Sequence, residues 1–277
     1  MNKIAGIIVT YNPDMDLLEK NFNSLYKQTD SVVIVDNGSI NIDKINAIYC
    51  HNTVIIENGE NFGIAKALNI GIYYCKTHGY KYVITMDQDS ISPPDLLKKL
   101  ERHIKSEKVA IVGPTFLNRG ITKKRNLGAK VEKVSWIITS ASLTSVKAWE
   151  EVGGYDEELF IDCVDVDFCN RLIKAGYIIL QDNEVCLSHK IGDSIEKRLL
   201  WKKITIKNHS SFRKYFIARN TIIIAKKSGK RRKIFKSYLQ VLKQILLVIM
   251  YEDEKKRKIK SLIHGVMDSR KYKRYGV

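Results

Sequence analysis

Tyr82-Val83-Ile84-Thr85-Met86-Asp87-Gln88-Asp89-Ser90 is an apolar run that ends abruptly on carboxylates. The stretch Tyr82 to Met86 has the length and composition of a strand covered on both faces. In extended geometry residues two apart face the same side, so Asp87 and Asp89 are expected to converge on one point. A like-charged pair needs compensation, and its oxygens suit a hard divalent ion, Mg²⁺ or Mn²⁺, whose natural ligand is a diphosphate. Taken alone, the same residues also fit a polar loop before Pro93-Pro94, with Ser92 or Asp95 capping the next helix.

Outward from this run the chain alternates strand and helix patterns up to about residue 115. Strands are expected at Ile4 to Thr10, Ser31 to Asp36, Val54 to Glu57 and Tyr82 to Met86, and helices at Asp14 to Tyr26 and Gly63 to Lys76. Short continuous apolar strands separated by helices argue a doubly wound, mostly parallel α/β sheet with helices on both faces. Ligands of such sheets bind beyond the carboxyl ends of the strands, where Thr10, Tyr11, Asn12, Asp36 and the Asp87/Asp89 pair all fall. The first strand-to-helix turn, Thr10 to Asp14, contains no glycine, which disfavours a dinucleotide such as NAD. Asp36 is placed either to accept hydrogen bonds from a base or ribose, or to close a turn with Asn37-Gly38. Asn61-Phe62-Gly63-Ile64-Ala65-Lys66 opens its helix with glycine and small residues. That lets a phosphate or sugar approach the helix N-terminus, although an Asn cap and close packing account for the same residues.

Beyond Ala110 to Pro114 the pattern predicts a loop from Asn118 to Gly128, a strand-like run from Val134 to Ser140, and helices from Ser145 to Glu151 and Asp165 to Ala175. A second acidic cluster lies in Phe160-Ile161-Asp162-Cys163-Val164-Asp165-Val166-Asp167. If a helix begins there, Asp162 and Asp165 share a face while Asp167 pairs with Arg171. Asp165 is then a candidate general base, its proton affinity raised by neighbouring carboxylates and partial burial, although Asp162 as the helix cap with Asp165 complementing the helix dipole accounts for the same residues. His189 is a candidate third metal ligand or phosphate contact, or a structural histidine. Arg213, Lys214, Tyr215, Arg219 and Asn220 form a cationic group able to grip a diphosphate, or an ordinary solvated face.

The formal charge of +17 is unevenly spread. From Glu196 onward 25 Lys and Arg face 5 Asp and Glu, a net +20, whereas residues 1–195 carry 22 against 25, a net −3. Such a basic segment attracts nucleic acid or an anionic membrane surface. In it Ile234, Phe235, Tyr238, Leu239, Leu242, Ile245, Leu246 and Ile249 recur at helical spacing among Arg231, Arg232, Lys233, Lys236 and Lys243. The fully apolar run Ile245 to Tyr251 is far short of the ~20 residues that cross a bilayer. An amphipathic helix on an anionic membrane fits both facts, as does a helix packed on the protein with a solvated basic back. The five cysteines lack metal or disulfide spacing and read as reduced, mostly buried thiols. The first twenty residues lack a signal-peptide pattern, which implies the cytoplasm.

Taken in order, Val9-Thr10-Tyr11-Asn12-Pro13, Val35-Asp36-Asn37-Gly38-Ser39, Asn61-Phe62-Gly63, Met86-Asp87-Gln88-Asp89 and Phe160 to Asp167 resemble family 2 of the inverting glycosyltransferases, with the GT-A fold. Leu159-Phe160-Ile161-Asp162, Val164-Asp165, His189 with Ile191-Gly192-Asp193, and Arg213-Lys214-Tyr215-Phe216 with Arg219-Asn220 are most similar to its bacterial rhamnosyltransferase-like branch. The expected organisation is a catalytic domain over 1–211, split into a nucleotide-binding half (1–115) and an acceptor half (116–211), with a basic helical extension over 212–277; the resemblance runs to about Asn220. It implies that Thr10, Tyr11, Asn12 and Asp36 contact the nucleotide of a dTDP- or UDP-sugar and that Asp87 lies near the ribose and the metal; Asn61, Gly63, Lys66, Gln88, Arg213 and Arg219 are the further candidates for the donor site. Asp87 and Asp89, with His189, would hold Mg²⁺ or Mn²⁺, and Asp165 would be the base. Many family members carry Glu before that Asp, where this chain has Val164. The implied reaction moves rhamnose from dTDP-rhamnose to a lipid-linked polysaccharide precursor at the inner face of the cell membrane. A sugar-1-phosphate nucleotidyltransferase would be expected to carry a Gly-rich phosphate loop that Thr10 to Asp14 lacks. A nucleic-acid-binding protein would be expected to interleave stacking aromatics with its charge on strands, and no such pattern is evident.

Overall fold

A computed structural model describes residues 3–48, 50–118, 129–189, 195–199, 202–206 and 208–272, with backbone alone at 117–118, 188–189, 195–199 and 202–206. The expected loop after Asn118 and the segment Ile191-Gly192-Asp193 lie outside the described residues. The chain divides into two compact units, one of residues 1–157 and 164–190, the other of 158–163 and 191–277. The division near residue 190 falls close to the point where the charge changes sign.

In the first unit the order begins β1 (Ile4–Thr10), α1 (Met15–Tyr26), β2 (Ser31–Asp36), α2 (Ile42–Asn46), β3 (Thr53–Glu57), α3 (Gly63–Thr77), β4 (Tyr82–Asp87) and α4 (Leu96–Glu101). It continues with β5 (Val109–Asn118), β6 (Val131–Lys133), β7 (Ser142–Ser145), α5 (Val146–Glu151), α6 (Val164–Lys174) and β8 (Ile178–His189). The eight strands make one sheet in the order β3-β2-β1-β4-β7-β5-β8-β6. The first four are mutually parallel, β7 runs antiparallel to β4 and β5, β5 and β8 are parallel, and β6 is antiparallel to β8. Every residue of β1 and β2 is buried, as unbroken apolar runs require when both faces are covered.

Helix α1 begins where the Asp14 carboxylate accepts the Leu17 N–H at 3.2 Å. Its buried Leu18, Phe22 and Leu25 recur at three- and four-residue spacing and join the core formed with Ile4, Ile8, Ile34 and Ile84. Each such burial contributes about 1.5–3 kcal/mol. Gly6 permits this approach, because a Cβ there would lie 2.5 Å from Leu25 Cδ2. Asn69 of α3 secures the turn after α5: its Oδ1 accepts Trp149 Nε1–H at 3.0 Å and the Tyr155 N–H at 2.8 Å.

Two elements differ from the sequence expectation. Val134 to Ser140 is irregular, and the strands lie on either side of it, at β6 and β7. The Ser142 hydroxyl donates to the Ile138 carbonyl and Ala141 takes φ +56°, so local side-chain bonds and a left-handed turn claim the segment. Strand β8 escapes the periodicity because Gln181-Asp182-Asn183-Glu184 interrupts its apolar residues. There the register on β5 jumps, from Pro114↔Asp182 to Thr115↔Cys186.

The second unit carries an antiparallel pair, β9 (Ile195–Leu199) and β10 (Lys202–Ile206), then α7 (Ser211–Lys227), α8 (Arg231–Tyr251) and α9 (Lys255–Asp268). Ala218 and Ile222 of α7, Val241 and Val248 of α8 and Leu262 of α9 form its apolar core. Glycine at 265 lets α9 touch α7, since a Cβ there would strike the Tyr215 carbonyl and the Arg219 amide. At the junction of the three helices Glu252 is 2% exposed and takes Lys214 Nζ at 2.6 Å and Lys258 Nζ at 3.1 Å. None of the five cysteines is in a disulfide: Cys75 and Cys169 are buried, Cys50 and Cys163 half-buried, and Cys186 exposed.

Candidate active site

Register alone gathers the rim of the first unit. Thr10 at the end of β1 pairs with Asp36 at the end of β2, and Val9 pairs with Asp87 at the end of β4. Asp36 is 1% exposed and its carboxylate is engaged on every side. Oδ1 accepts the hydroxyls of Thr10 at 2.8 Å and Ser39 at 2.5 Å, and Oδ2 accepts the N–H groups of Gly38 at 2.9 Å and Ser39 at 2.8 Å. Asp36 therefore closes the Asn37-Gly38 turn, the second of the two readings open in the sequence, and organises the loop after β2. Thr10 is buried with it, and its hydroxyl serves that carboxylate.

The exposed groups at the rim come from the loops themselves. Asn12, at φ +47°, accepts the Ile40 N–H at 2.8 Å through Oδ1 and donates its own N–H to Ser39 Oγ, also at 2.8 Å. Gln88 joins the loops after β4 and β1: its Oε1 accepts the Tyr11 N–H at 2.8 Å and its Nε2 donates to the Tyr11 carbonyl at 3.3 Å. The ring of Tyr11 is left 48% exposed. Asn61 Oδ1 accepts the Gly63 N–H at 2.9 Å, and Gly63 enters α3 at φ +81°, a conformation a side chain would resist. Lys66 is half-buried with Nζ 3.7 Å from the centroid of the Phe62 ring.

Strand β4 ends at Asp87, and the Ser90 N–H closes a turn onto the Asp87 carbonyl at 3.1 Å. Asp89 thus lies in a turn and not in an extended strand, and two-residue alternation does not govern the pair. Asp87 is half-buried and Asp89 exposed. Two groups that no local pattern announces hold this strand end: buried Asn21 of α1 donates to the Asp87 carbonyl at 2.7 Å, and Ser140 Oγ accepts the Asp87 N–H at 3.1 Å. Among the described residues no three His, Cys, Asp or Glu gather into a metal cage. Two carboxylates on an accessible rim nevertheless fit Mg²⁺ or Mn²⁺, which take one or two protein carboxylates and fill their shell with phosphate and water. The His189 side chain lies outside the described residues.

Helix α6 begins at Val164, so Asp165 and Asp167 occupy its first turn. Asp167 Oδ2 accepts Arg171 Nε–H at 2.8 Å, the pairing expected from the four-residue spacing. The shared face expected for Asp162 and Asp165 does not form, because Asp162 and Cys163 take φ +64° and +65° and cannot continue a helix. Asp165 is half-buried. Its carboxylate is coupled to the Tyr155 phenol, whose pKa is pushed up by burial first and then by unfavourable coupling to the ionisable Cys169 and Asp165. In the second unit, Asp162 instead takes Arg213 in a two-pronged pair, Nε–H at 3.1 Å and an Nη2–H at 2.9 Å.

The rest of the cationic group is similarly engaged within that unit. Lys214 serves Glu252, the Tyr215 hydroxyl lies 3.0 Å from Asp268, and Arg219 reaches the Glu158 carbonyl with its guanidinium over the Phe216 ring. Asn220, fully buried, donates through Nδ2 to the carbonyls of Leu159, Ile161 and Asp162 at 2.8, 2.8 and 2.9 Å. A grip on diphosphate by Arg213 and Arg219 would compete with these partners.

Residues 7–158 match the family model "Glycosyl transferase family 2". The chain is 34% identical over 243 residues to the dTDP-rhamnosyl transferase RfbF of Shigella flexneri, covering 82% of this chain and 81% of that protein. Among solved structures it resembles the mannosyltransferase PcManGT of Pyrobaculum calidifontis, in complex with GDP-Man and Mn²⁺, with TM-score 0.62 and 14% identity over 97% of this chain and 87% of that one. GalNAc-T7 with UDP, GalNAc and Mn²⁺ gives TM-score 0.57 and 15% identity over 68% of this chain, which spans 44% of its length. The S. aureus TarS 1–349 structure gives TM-score 0.59 and 14% identity over 96% of this chain and 80% of that one. The family model and the 34% identical relative favour a glycosyltransferase over a nucleotidyltransferase. With a carboxylate-bearing rim on a mostly parallel sheet, a matching family model and a relative over four-fifths of its length, the chain belongs to glycosyl transferase family 2 and is a glycosyltransferase.

Proposed function

We propose that this enzyme transfers rhamnose, with inversion, from dTDP-rhamnose to a hydroxyl of a lipid-linked surface polysaccharide precursor. The observation that carries the donor assignment is the 34% identity to a dTDP-rhamnosyl transferase, sustained over 82% of the chain. Tyr11, Asn12 and Asn61, exposed on loops that Asp36, Ser39 and Gln88 hold in place, receive the nucleotide. Thr10 and Asp36 shape that site from beneath, and Gly63 with Lys66 lies at the N-terminus of α3, where the helix favours negative charge. Asp87 and Asp89 hold the divalent ion, Mg²⁺ or Mn²⁺, with His189 a further ligand. Such an ion supplies charge neutralisation to a departing diphosphate. Asp165 accepts the proton of the acceptor hydroxyl as its oxygen attacks the anomeric carbon. The neutral Tyr155 phenol adds no competing charge beside it.

The reading extends to location: a cytoplasmic enzyme lying on the inner face of the membrane through α8. That helix leaves Phe235, Leu239, Leu242, Leu246 and Ile249 exposed on one side. By length and composition alone it could cross a bilayer. Lying on the surface is favoured because Val241 and Val248 are buried against α7 and α9, and Lys236 and Lys243 interrupt the apolar sequence of the helix. A thermal-shift panel of dTDP, UDP, GDP and CDP with and without Mn²⁺, followed by turnover of dTDP-rhamnose, tests the assignment. The largest stabilisation is expected for dTDP with Mn²⁺. Preference for another nucleotide, or no rhamnosyl transfer to a lipid-linked acceptor, would overturn the donor assignment.

A further inference from the structure

The six residues 158–163 belong to the second unit although both their ends are bonded to the first, at Glu157 and Val164. Within them Phe160, Asp162 and Cys163 take φ +62°, +64° and +65°. Three side-chain-bearing residues in the left-handed region within four positions are costly, and such a conformation persists only when its surroundings over-determine it. Here the surroundings are one face of α7. Buried Asn220 donates to three carbonyls of the loop, and its own Oδ1 accepts Arg219 Nε–H at 3.0 Å. Arg219 also reaches the Glu158 carbonyl, Arg213 grips the Asp162 carboxylate, and Phe160 stacks on Phe216 with ring centroids 4.9 Å apart.

No solvent-facing purpose accounts for this arrangement. A loop that only linked two elements would need neither a buried amide aimed at three carbonyls nor a fork-shaped ion pair. The loop runs directly into α6, whose second residue is Asp165. We propose that Arg213, Arg219 and Asn220 are positioning residues of the transferase. They hold the backbone that enters α6 in the conformation Asp165 needs to meet the acceptor hydroxyl. The proposal rests on Asp165 being the base. A base misplaced by a fraction of an ångström loses rate while donor binding, made by other loops, is unaffected.

The test uses the full chain carrying Arg213→Met, Arg213→Lys, Asn220→Asp, and Asp165→Asn as the reference. Arg213 is 43% exposed in its pair, so its replacement spares the core if the Asn220 variant fails to fold. The readouts are kcat, KM for dTDP-rhamnose, and dTDP affinity with Mn²⁺. For Arg213→Met and Asn220→Asp, kcat is expected to fall about 10-fold or more, with donor KM and dTDP affinity within twofold. Arg213→Lys should recover part of the loss. A folded Arg213→Met enzyme with wild-type kcat and only a lowered melting temperature would reduce the contacts to structural support and overturn the proposal. A raised donor KM at constant kcat would overturn it too, by assigning these side chains to the diphosphate. If Asp165→Asn retains wild-type kcat, the base assignment itself has failed. If Asp165→Asn is inactive while the clamp variants are fully active, only the positioning role has failed.

Discussion

Replacing Glu252 by alanine should destabilise the second unit more than any other single change to its charged residues. Glu252 is the C-cap residue of α8 and, among the described residues, its carboxylate is the acidic partner of two buried ammonium groups, Lys214 on α7 at 2.6 Å and Lys258 on α9 at 3.1 Å. All three side chains are 2–4% exposed. Removing one member of a buried pair costs about 3–5 kcal/mol, because the remaining charge is left without compensation. Two cations are orphaned here, but each keeps an amide acceptor, Lys214 with Gln244 Oε1 at 3.2 Å and Lys258 with Asn208 Oδ1 at 2.5 Å. The loss is therefore placed at about 4 kcal/mol, within the single-pair range rather than at twice it. Hydrogen exchange of the α7–α9 amides reads this directly. A loss of about 4 kcal/mol in opening free energy speeds exchange roughly 10³-fold, at tenfold per 1.4 kcal/mol. Joint replacement by Lys214→Met, Glu252→Leu and Lys258→Met removes every charge and should restore protection to within about tenfold of wild type, since well-packed apolar residues replace buried ion triads at little or no cost. Exchange less than tenfold faster in Glu252→Ala would show that the triad does not hold the helices together.

Asp89→Ala should abolish the part of the dTDP-induced thermal stabilisation that depends on Mn²⁺. A ligand at a hundred times its Kd contributes about 2.7 kcal/mol, so the missing increment is measurable, and an unchanged Mn²⁺ response would remove Asp89 from the metal site. Changing Arg231, Arg232, Lys233 and Lys236 to Gln should cut sedimentation with anionic vesicles steeply, by about 1 kcal/mol per charge. Equal sedimentation of variant and wild type would leave α8 without a membrane role. Cys75 and Cys169, at 0% and 1% exposure with thiols pushed up to about 12 chiefly by burial, should resist iodoacetamide at pH 8. The thiolate is the reactive form and is nearly absent four units below such a value, whereas exposed Cys186 should be alkylated. Mass spectrometry of the labelled peptides decides, and early modification of Cys75 or Cys169 in folded protein would contradict their burial.

The family and the first half of the sheet were legible in the amino-acid sequence because both rest on local information. Strands β1, β2 and β4 are continuous apolar runs, α1 and α3 keep helical spacing, and the polar residues that end each strand reach the rim by register alone. The Asp167–Arg171 pair was likewise set by a spacing of four. What the sequence left open was which partner each polar group would take. Asp36 suited a ligand or a turn equally well, and four donors from Thr10, Gly38 and Ser39 decided for the turn. Asn21 and Ser140 meet at Asp87 from 66 and 53 positions away, a convergence no local pattern encodes. Arg213, Arg219 and Asn220 read as a cationic grip, yet tertiary packing turned them onto the loop at 158–163, whose left-handed residues break the helix expected to join Asp162 to Asp165. Apolar periodicity and chain stereochemistry act over a few residues and survive in the sequence. A hydrogen-bond partner is chosen by what the folded chain brings within about 3 Å, and that choice exists only once the fold has formed.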